Sequence, residues 1–319
     1  MHAVVLVGGF GTRLRPLTNT IPKPLLPLGQ RTILEWLMVH LARGGVTDAV
    51  LALGFKPEPF LRAYPDALCA GVRLTYAIED SPLDTAGAIG FAARVAGLHE
   101  RDEAFVVANG DIVTDLAVAD LVAQHRKNSA AGALATIHLT PVDDPSQYGV
   151  VEHDSSGNVR GFIEKPAPGT TTSRHVNAGT YVLEAAVLDS MPGTAPLSIE
   201  RVTFPELAQQ GALFAYPTDD YWLDAGRPDA YRRANLDLIG EVRRDRDEAV
   251  HPTARIDKSA VVRNSVVGAG ATVARGAQVF DSVIFPGARV GEDSQVSGSS
   301  VMGDVAAGSL VRDALVGRD

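Results

Sequence analysis

From His2 to Leu139 short apolar runs alternate with stretches of helical spacing. The run at 2–7 ends in Gly8-Gly9 and predicts a first strand. Residues 32–43 place Ile33, Leu34, Leu37, Met38 and Leu41 on one helical face. A β-type run follows at 49–53. Residues 72–78 alternate, with Val72, Leu74 and Tyr76 on one side. Helices are predicted at 85–96 and 116–125. Strands are predicted at 104–108, just before Asn109-Gly110-Asp111, and at 131–139. Interleaved strands and helices imply an α/β fold, a Rossmann-like mixed sheet covered on both faces. Such sheets bind ligands at the carboxyl ends of strands, where residues 8–13 and Asp111 fall. From Tyr148 the pattern turns β-rich, and 150–153, 159–164 and 176–183 read as antiparallel additions. Helical spacing returns at 198–209 and 228–239. The charged stretch 241–248 reads as a helix end or a linker.

The last part changes period. Val261, Val267, Val273 and Val279 recur at one spacing, and Ile284, Val290 and Val296 resume it after one shortened step. Ala271, Ala277, Ala288 and Ser294 recur between them, with glycines at 268, 270, 276, 287 and 291. An aliphatic residue inside each rung and a small one at each corner is the hexapeptide pattern of a left-handed parallel β-helix. The expected division is therefore a catalytic domain over 1–240 and a β-helix over 241–319.

At 319 residues the chain is long enough for two domains. The formal net charge of −9 argues against a general nucleic-acid binder, so any phosphate site must be local. The single cysteine, Cys69, excludes an internal disulfide and a thiolate cluster, and reads as a small buried residue. No apolar run approaches the roughly 20 residues of a membrane helix. The apolar start lacks a basic flank, which reads as a strand rather than a signal peptide. A cytoplasmic location is expected. The histidines show no metal spacing.

The chemistry concentrates at Gly8-Gly9-Phe10-Gly11-Thr12-Arg13-Leu14-Arg15. Glycines after a buried strand let backbone N–H groups approach phosphates, and Arg13 and Arg15 add charge-assisted donors. A P-loop needs Gly-Lys-Ser/Thr, whereas Arg13 follows Gly11-Thr12. A dinucleotide fingerprint needs Gly or Ala where Leu14 stands, and an uninterrupted helix that Pro16, Pro22, Pro24 and Pro27 forbid. In Pro22-Lys23-Pro24 the second proline predicts an extended Lys23. Asp111 and Asp224 read equally as metal ligands or as turn and cap residues.

The strings GGFGTRLRPLT and PKPLLPLG resemble the sugar-phosphate nucleotidylyltransferases (NDP-sugar pyrophosphorylases). Leu83-Asp84-Thr85-Ala86-Gly87, Asn109-Gly110-Asp111, Glu164-Lys165-Pro166, Asn177-Ala178-Gly179 and Trp222-Leu223-Asp224-Ala225-Gly226 follow in the family order. The layout, β-helical tail included, looks most like the mannose-1-phosphate guanylyltransferases. The resemblance implies nucleotidyl transfer from a nucleoside triphosphate to a sugar 1-phosphate. The implied pair is GTP with mannose 1-phosphate or a related hexose or cyclitol phosphate. It implies Mg²⁺ on Asp111 and Asp224, Arg13 on the β- and γ-phosphates, and Lys23 near the α-phosphate. Leu6, Gly8, Gly9, Gly11, Thr12, Arg13, Thr85, Ala86, Gly87 and Gly110 would bind nucleotide. Gly149, Glu164, Lys165, Asn177 and Gly179 would bind the sugar phosphate.

Gly110, Asp84 and Tyr221 depart from the guanylyltransferase pattern, in the base and sugar pockets. A glucose-1-phosphate thymidylyl- or adenylyltransferase, or a regulatory NDP-sugar-binding subunit, are the other readings. A hexapeptide acyltransferase would need a β-helix histidine, and only His251 stands there. The tail is expected to serve assembly into a homo-oligomer, dimer or tetramer. Deletion from about Arg255 is then expected to change subunit number while some transfer survives.

Overall fold

The computed structural model describes residues 1–9, 11–54, 57–167 and 169–318. Phe10 of the glycine motif lies outside them. Two compact units result: Met1–Gly8 with Leu37–Trp222, and Gly9–Trp36 with Leu223–Asp319. Compactness thus does not follow chain order, because residues 9–36 belong with the tail.

The first unit is built on a ten-stranded sheet. Its strands are β1 His2–Leu6, β2 Asp48–Leu53, β3 Leu68–Cys69, β4 Val72–Ile78 and β5 Phe105–Asn109. They continue with β6 Ala135–Pro141, β7 Gly149–His153, β8 Val159–Glu164, β9 His175–Leu183 and β10 Leu213–Pro217. The order is β8-β7-β9-β5-β1-β2-β4-β3, with β6 also beside β9 and β10 beside β6. Strands β5, β1, β2 and β4 are parallel neighbours, as the interleaved pattern predicts. The later strands β7, β8 and β9 are antiparallel additions. Ala3, Val4, Val5, Phe105, Val106 and Val107 are buried, the continuous apolar run expected of strands covered on both faces. Helix α1 (Ile33–Arg43) leads into this unit, and helix α2 spans Asp84–Val95. The buried face of α2 is made of Ala and Gly because backbone lies against it. A Cβ on Gly90 would come within 2.2 Å of Met191 O, and one on Gly87 within 2.7 Å of Ala195 O.

Two predicted elements differ. The alternation of β4 fails at its end, where Ala77 is buried and Ile78 is 44% exposed. Tyr76 is half-buried there because its hydroxyl donates to Tyr64 O at 2.9 Å. The stretch 198–209 is not one helix. A π-turn, Ile199–Thr203, precedes a short helix at Phe204–Gln209, and Pro205 sits at the junction without an N–H to give. Among the described residues no helix is long and apolar enough to cross a membrane.

His138 on β6 is fully buried, with Nε2 2.8 Å from Thr218 Oγ1 and no partner at Nδ1. Burial pulls its pKa down to about 4. The unfolded chain therefore takes up a proton near pH 6.5, while the native chain resists until about pH 4. Stability falls across that window by about 3 kcal/mol. Urea unfolding between pH 7 and 4 should show the loss in the wild type and a flatter profile in His138→Gln. Equal slopes would assign the titration elsewhere.

The tail of the second unit coils through three parallel four-stranded sheets. One face stacks Arg255–Ile256, Thr272–Val273, Arg289–Val290 and Asp304–Val305. The next stacks Val261–Arg263, Gln278–Phe280, Gln295–Ser297 and Leu310–Arg312, and the third ends at Leu315–Val316. Val267, Val273, Val279, Ile284, Val290 and Val296 fill the interior, as the hexapeptide spacing predicts, but Val261 is exposed, because in the first coil it is Val262 that stacks on Val279. One buried corner is a serine ladder. Ser265 Oγ accepts from Ser282 N, 17 residues on, and Ser282 Oγ from Ser299 N, another 17 on, each at 3.1 Å. Ser299 Oγ accepts from Ala314 N only 15 residues on. Each hydroxyl donates to a carbonyl of its own coil, so these buried groups are satisfied.

Residues 12–32 fold as three 3-10 turns, Thr12–Leu14, Leu17–Asn19 and Lys23–Leu25, then a hairpin of Pro27–Leu28 and Arg31–Thr32. Thr32 and Glu35 close a reciprocal capping box that starts α1, with bonds of 2.6 and 3.0 Å. The hairpin docks on its own unit. Gly29 N donates to Asn235 Oδ1 at 2.9 Å, and Tyr231 Oη donates to Pro27 O. Gln30 N donates to Asp247 Oδ2 at 2.7 Å, and its side-chain amide donates to Glu248 O and Val267 O. The charged stretch 241–248 is thereby a clamped linker.

Candidate active site

In the second unit residues 11–23 meet Leu223-Asp224-Ala225-Gly226. Gly11 has φ +55°, and a Cβ on it would lie 3.0 Å from Thr18 Cγ2 and 3.5 Å from Lys23 Cβ. Only glycine suits that position. Thr18 Oγ1 donates to Gly11 O at 2.7 Å and closes the loop. Lys23 is not extended as its two prolines predict. It opens a 3-10 turn, with Leu25 N on Pro22 O at 2.9 Å and Leu26 N on Lys23 O at 3.0 Å. Pro24 fits there because the second position of a turn needs no donor.

Lys23 is only 7% exposed, and buried lysines need a partner. Its ammonium lies 3.2 Å from Asp224 Oδ1, which also accepts from Gly226 N at 2.8 Å. Arg13 Nη2 stands 4.0 Å from Asp224 Oδ2, with its side chain 63% exposed. Gly226 completes the cradle. A Cβ there would lie 2.7 Å from Arg13 Nη2, 2.8 Å from Asp224 Oδ1 and 3.0 Å from Lys23 Nζ. One buried cation, one exposed cation and a carboxylate therefore converge on a spot that a methyl group would fill. Among the described residues no cluster of three or more His, Cys, Asp or Glu could hold a metal ion. The Asp224 side chain stays 26% exposed beside these two cations. A partly exposed carboxylate suits an ion such as Mg²⁺, which takes one or two carboxylates and draws the rest from water and substrate phosphate.

In the first unit the remaining predicted residues line the carboxyl edge of the parallel strands. Leu6 ends β1, and its carbonyl accepts from Gly110 N at 2.8 Å. A Cβ on Gly110 would meet Val7 Cγ1 at 2.7 Å, so this departure from the relatives' pattern keeps the two strand ends close. Gly8 is exposed beside Gly54. Asp111 is half-buried at the end of β5. Gly9 (φ +128°) and Thr12, in the second unit, are also exposed. Thr85, Ala86 and Gly87 are not open to a ligand through their donors. Ala86 N and Gly87 N donate to Leu197 O at 2.8 and 3.0 Å, and Thr85 Oγ1 donates to Glu200 Oε2 at 2.6 Å. Glu200 gave no local signal, because its partner lies 115 residues away. Glu79 was also missed. It follows β4, its N–H donates to Leu53 O at 2.9 Å, and burial pushes its carboxyl pKa up.

The predicted sugar residues are brought together on β7, β8 and β9. Gly149 pairs with Glu164, and a Cβ there would sit 2.9 Å from Glu164 Oε2. Lys165 Nζ lies 3.3 Å from Glu164 Oε1, and Lys165 has φ +50°. That is an uncommon conformation for lysine, one that aims its side chain away from the strand's regular course. An irregularity in β9 after Asn177 puts Gly179 at φ +79°, where a Cβ would lie 2.8 Å from Asn109 Nδ2. Asn177 Oδ1 accepts from Gly179 N at 2.8 Å, and its amide donates to buried Tyr181 at 3.2 Å. Trp222 donates to Ala178 O at 2.9 Å and meets Tyr148 edge-on at 5.5 Å. Tyr148 adds a wall, and buried Tyr181 a support under Asn177, that the motif alone does not show.

Residues 2–241 match the family described as nucleotidyl transferase, and 249–319 match the GlmU-like C-terminal hexapeptide family. A mannose-1-phosphate guanyltransferase of Yarrowia lipolytica is 37% identical over 80% of this chain and 68% of its own length. One of Schizosaccharomyces pombe is 36% identical over 86% and 73%. The solved structure of HddC from Yersinia pseudotuberculosis has a TM-score of 0.60 and 28% identity, covering 73% of this chain and 97% of that one. A putative glucose-1-phosphate thymidylyltransferase from Bacillus anthracis shares the fold at TM-score 0.65, 23% identical over 78% of this chain and 97% of its own. With three quarters of its length matched by the first of these families and its glycine loop, Lys23 and Asp224 assembled as described, the chain belongs to the nucleotidyl transferases.

Proposed function

We propose that the chain transfers the guanylyl group of GTP to mannose 1-phosphate, releasing pyrophosphate and forming GDP-mannose. The observation that carries the reaction is the buried Lys23, paired with Asp224 beside the exposed Arg13. A sugar-phosphate oxygen attacks the α-phosphorus while the bond to the bridging oxygen of pyrophosphate breaks. The attacking phosphate is already ionised, so no general base is required. The work is charge neutralisation and alignment. Lys23 is fixed where charge builds at the α-phosphate, and Arg13 can follow the departing pyrophosphate. Nucleotidyl transferases of this family generally use a divalent metal. We take it to be Mg²⁺, with Asp224 and Asp111 as protein ligands. Bound there, it would neutralise phosphate charge. Glu164, Lys165 and Asn177 would hold the sugar phosphate.

The choice of GTP rests on the relatives and on Glu79. A carboxylate at the end of a parallel strand can accept from guanine N1–H and N2–H together, which adenine, uracil and thymine cannot offer. A pyrophosphate-release panel of five nucleoside triphosphates against mannose and glucose 1-phosphates tests this. GTP with mannose 1-phosphate should give the highest kcat/KM, and a different best pair would overturn the substrate assignment. In the same panel Glu79→Gln should lower kcat/KM for GTP about tenfold, the scale of one bidentate base contact, and leave other triphosphates nearly unchanged. A uniform loss would remove Glu79 from base selection.

A further inference from the structure

The tail was expected to serve packing and assembly, and its last described turn touches the phosphate loop within the same unit. A Cβ on Gly317 would lie 2.8 Å from Pro16 Cβ and 2.9 Å from Pro16 Cγ, so the backbone at Gly317 rests directly on the proline ring. Gly317 is held from the other side, because a Cβ on Gly303 would come within 2.0 Å of Gly317 O. The next residue anchors the turn. Arg318 Nε donates to Met302 O at 3.2 Å, and Nη2 donates to Pro286 O at 2.7 Å. The coil end is thus tied to two earlier coils at the point where it meets Pro16.

Pro16 lies three residues after Arg13. Leu14 and Leu17 on either side are fully buried, Leu14 N donates to Gly11 O, and Asn19 N donates to Pro16 O. These bonds and buried side chains tie Pro16 to Gly11 and to the turn that carries Arg13. The hairpin end of the same segment leans on the linker and first coil through Gln30. The segment carrying Arg13 and Lys23 is held at both ends by the β-helix side of its unit. We propose that the Gly317 turn of the β-helix is a positioning element for the phosphate loop, setting where Arg13 meets the triphosphate. This rests on the nucleotidyl-transfer reading above.

The test uses the full chain and whichever substrate pair the wild type turns over fastest, so a wrong substrate assignment does not touch it. If the wild type turns over no pair, it is the transfer reading that fails. Three variants are compared by kcat, by KM for each substrate and by melting temperature. Gly317→Val drives a side chain into Pro16. Arg318→Ala frees the turn without adding bulk. Gly270→Ala changes a left-handed β-helix glycine whose Cβ would meet nothing within 4 Å. A misplaced catalytic group costs rate more than binding. Gly317→Val should lose about tenfold in kcat, and Arg318→Ala a few-fold, with KM for the sugar phosphate unchanged. Gly270→Ala should keep kcat even where its melting temperature falls. Wild-type kcat in a folded Gly317→Val would overturn the proposal. If that variant does not fold, wild-type kcat in Arg318→Ala does so. A kcat loss in Gly270→Ala equal to the other two would assign the effect to general destabilisation and overturn it as well.

Discussion

Lys23→Ala is expected to lower kcat by roughly 10²–10³-fold, the usual cost of losing a preorganised donor to transition-state charge. KM for the sugar phosphate should move far less, because the interaction strengthens only as charge develops at the α-phosphate. The structure supplies the preorganisation. The ammonium is buried, opens a proline-bounded turn and sits 3.2 Å from Asp224. Arg13→Ala should fall in the same direction. Its 63% exposed side chain is less constrained before substrate arrives, so its loss should be the smaller of the two. Pyrophosphate release at saturating substrate measures both. Near-normal turnover in Lys23→Ala would remove it from the chemistry.

The second large effect is expected at the carboxylates. Asp224→Asn keeps one oxygen for Gly226 N and Lys23 but loses the charge that offsets the buried ammonium. With that negative charge gone, triphosphate should bind more tightly in the ground state while metal activation weakens. The Mg²⁺ concentration for half-maximal rate should rise at least about tenfold, with kcat down by about 10². Asp111→Asn, assayed separately, should shift the same metal curve. A wild-type metal response in either variant means that residue is not a ligand.

Much of this was legible along the chain, because the signals are local. Glycine spacing, the prolines around Lys23 and the repeated valines of the coil each act over a few residues. The parallel strands β1, β2 and β5 announced themselves as buried runs, and β4 as an alternating one. What the sequence hid depends on pairing over distance. The clasp of Thr85 by Glu200 and the wall formed by Tyr148 and Trp222 join residues far apart along the chain. Lys23 was misread because Pro24 biases its neighbour away from helix, yet a single 3-10 turn satisfies both residues. The grouping of residues 9–36 with the tail could not be seen at all, since nothing in either segment's pattern names the other.

The serine ladder repeats at 17, 17 and then 15 residues, and the coil it lines ends against Pro16. Stacked strands advance by about 4.8 Å per layer. The tail is therefore a ruler as well as a scaffold. A chain lengthened or shortened by one whole coil would keep every internal rung satisfied. It would carry the Gly317 turn about 4.8 Å from the ring it now touches, farther than van der Waals contact can span. Repeat proteins usually tolerate whole-repeat insertions because each repeat sees only its neighbours. Here the coil number is fixed from outside the repeat, by the distance between the linker and one proline.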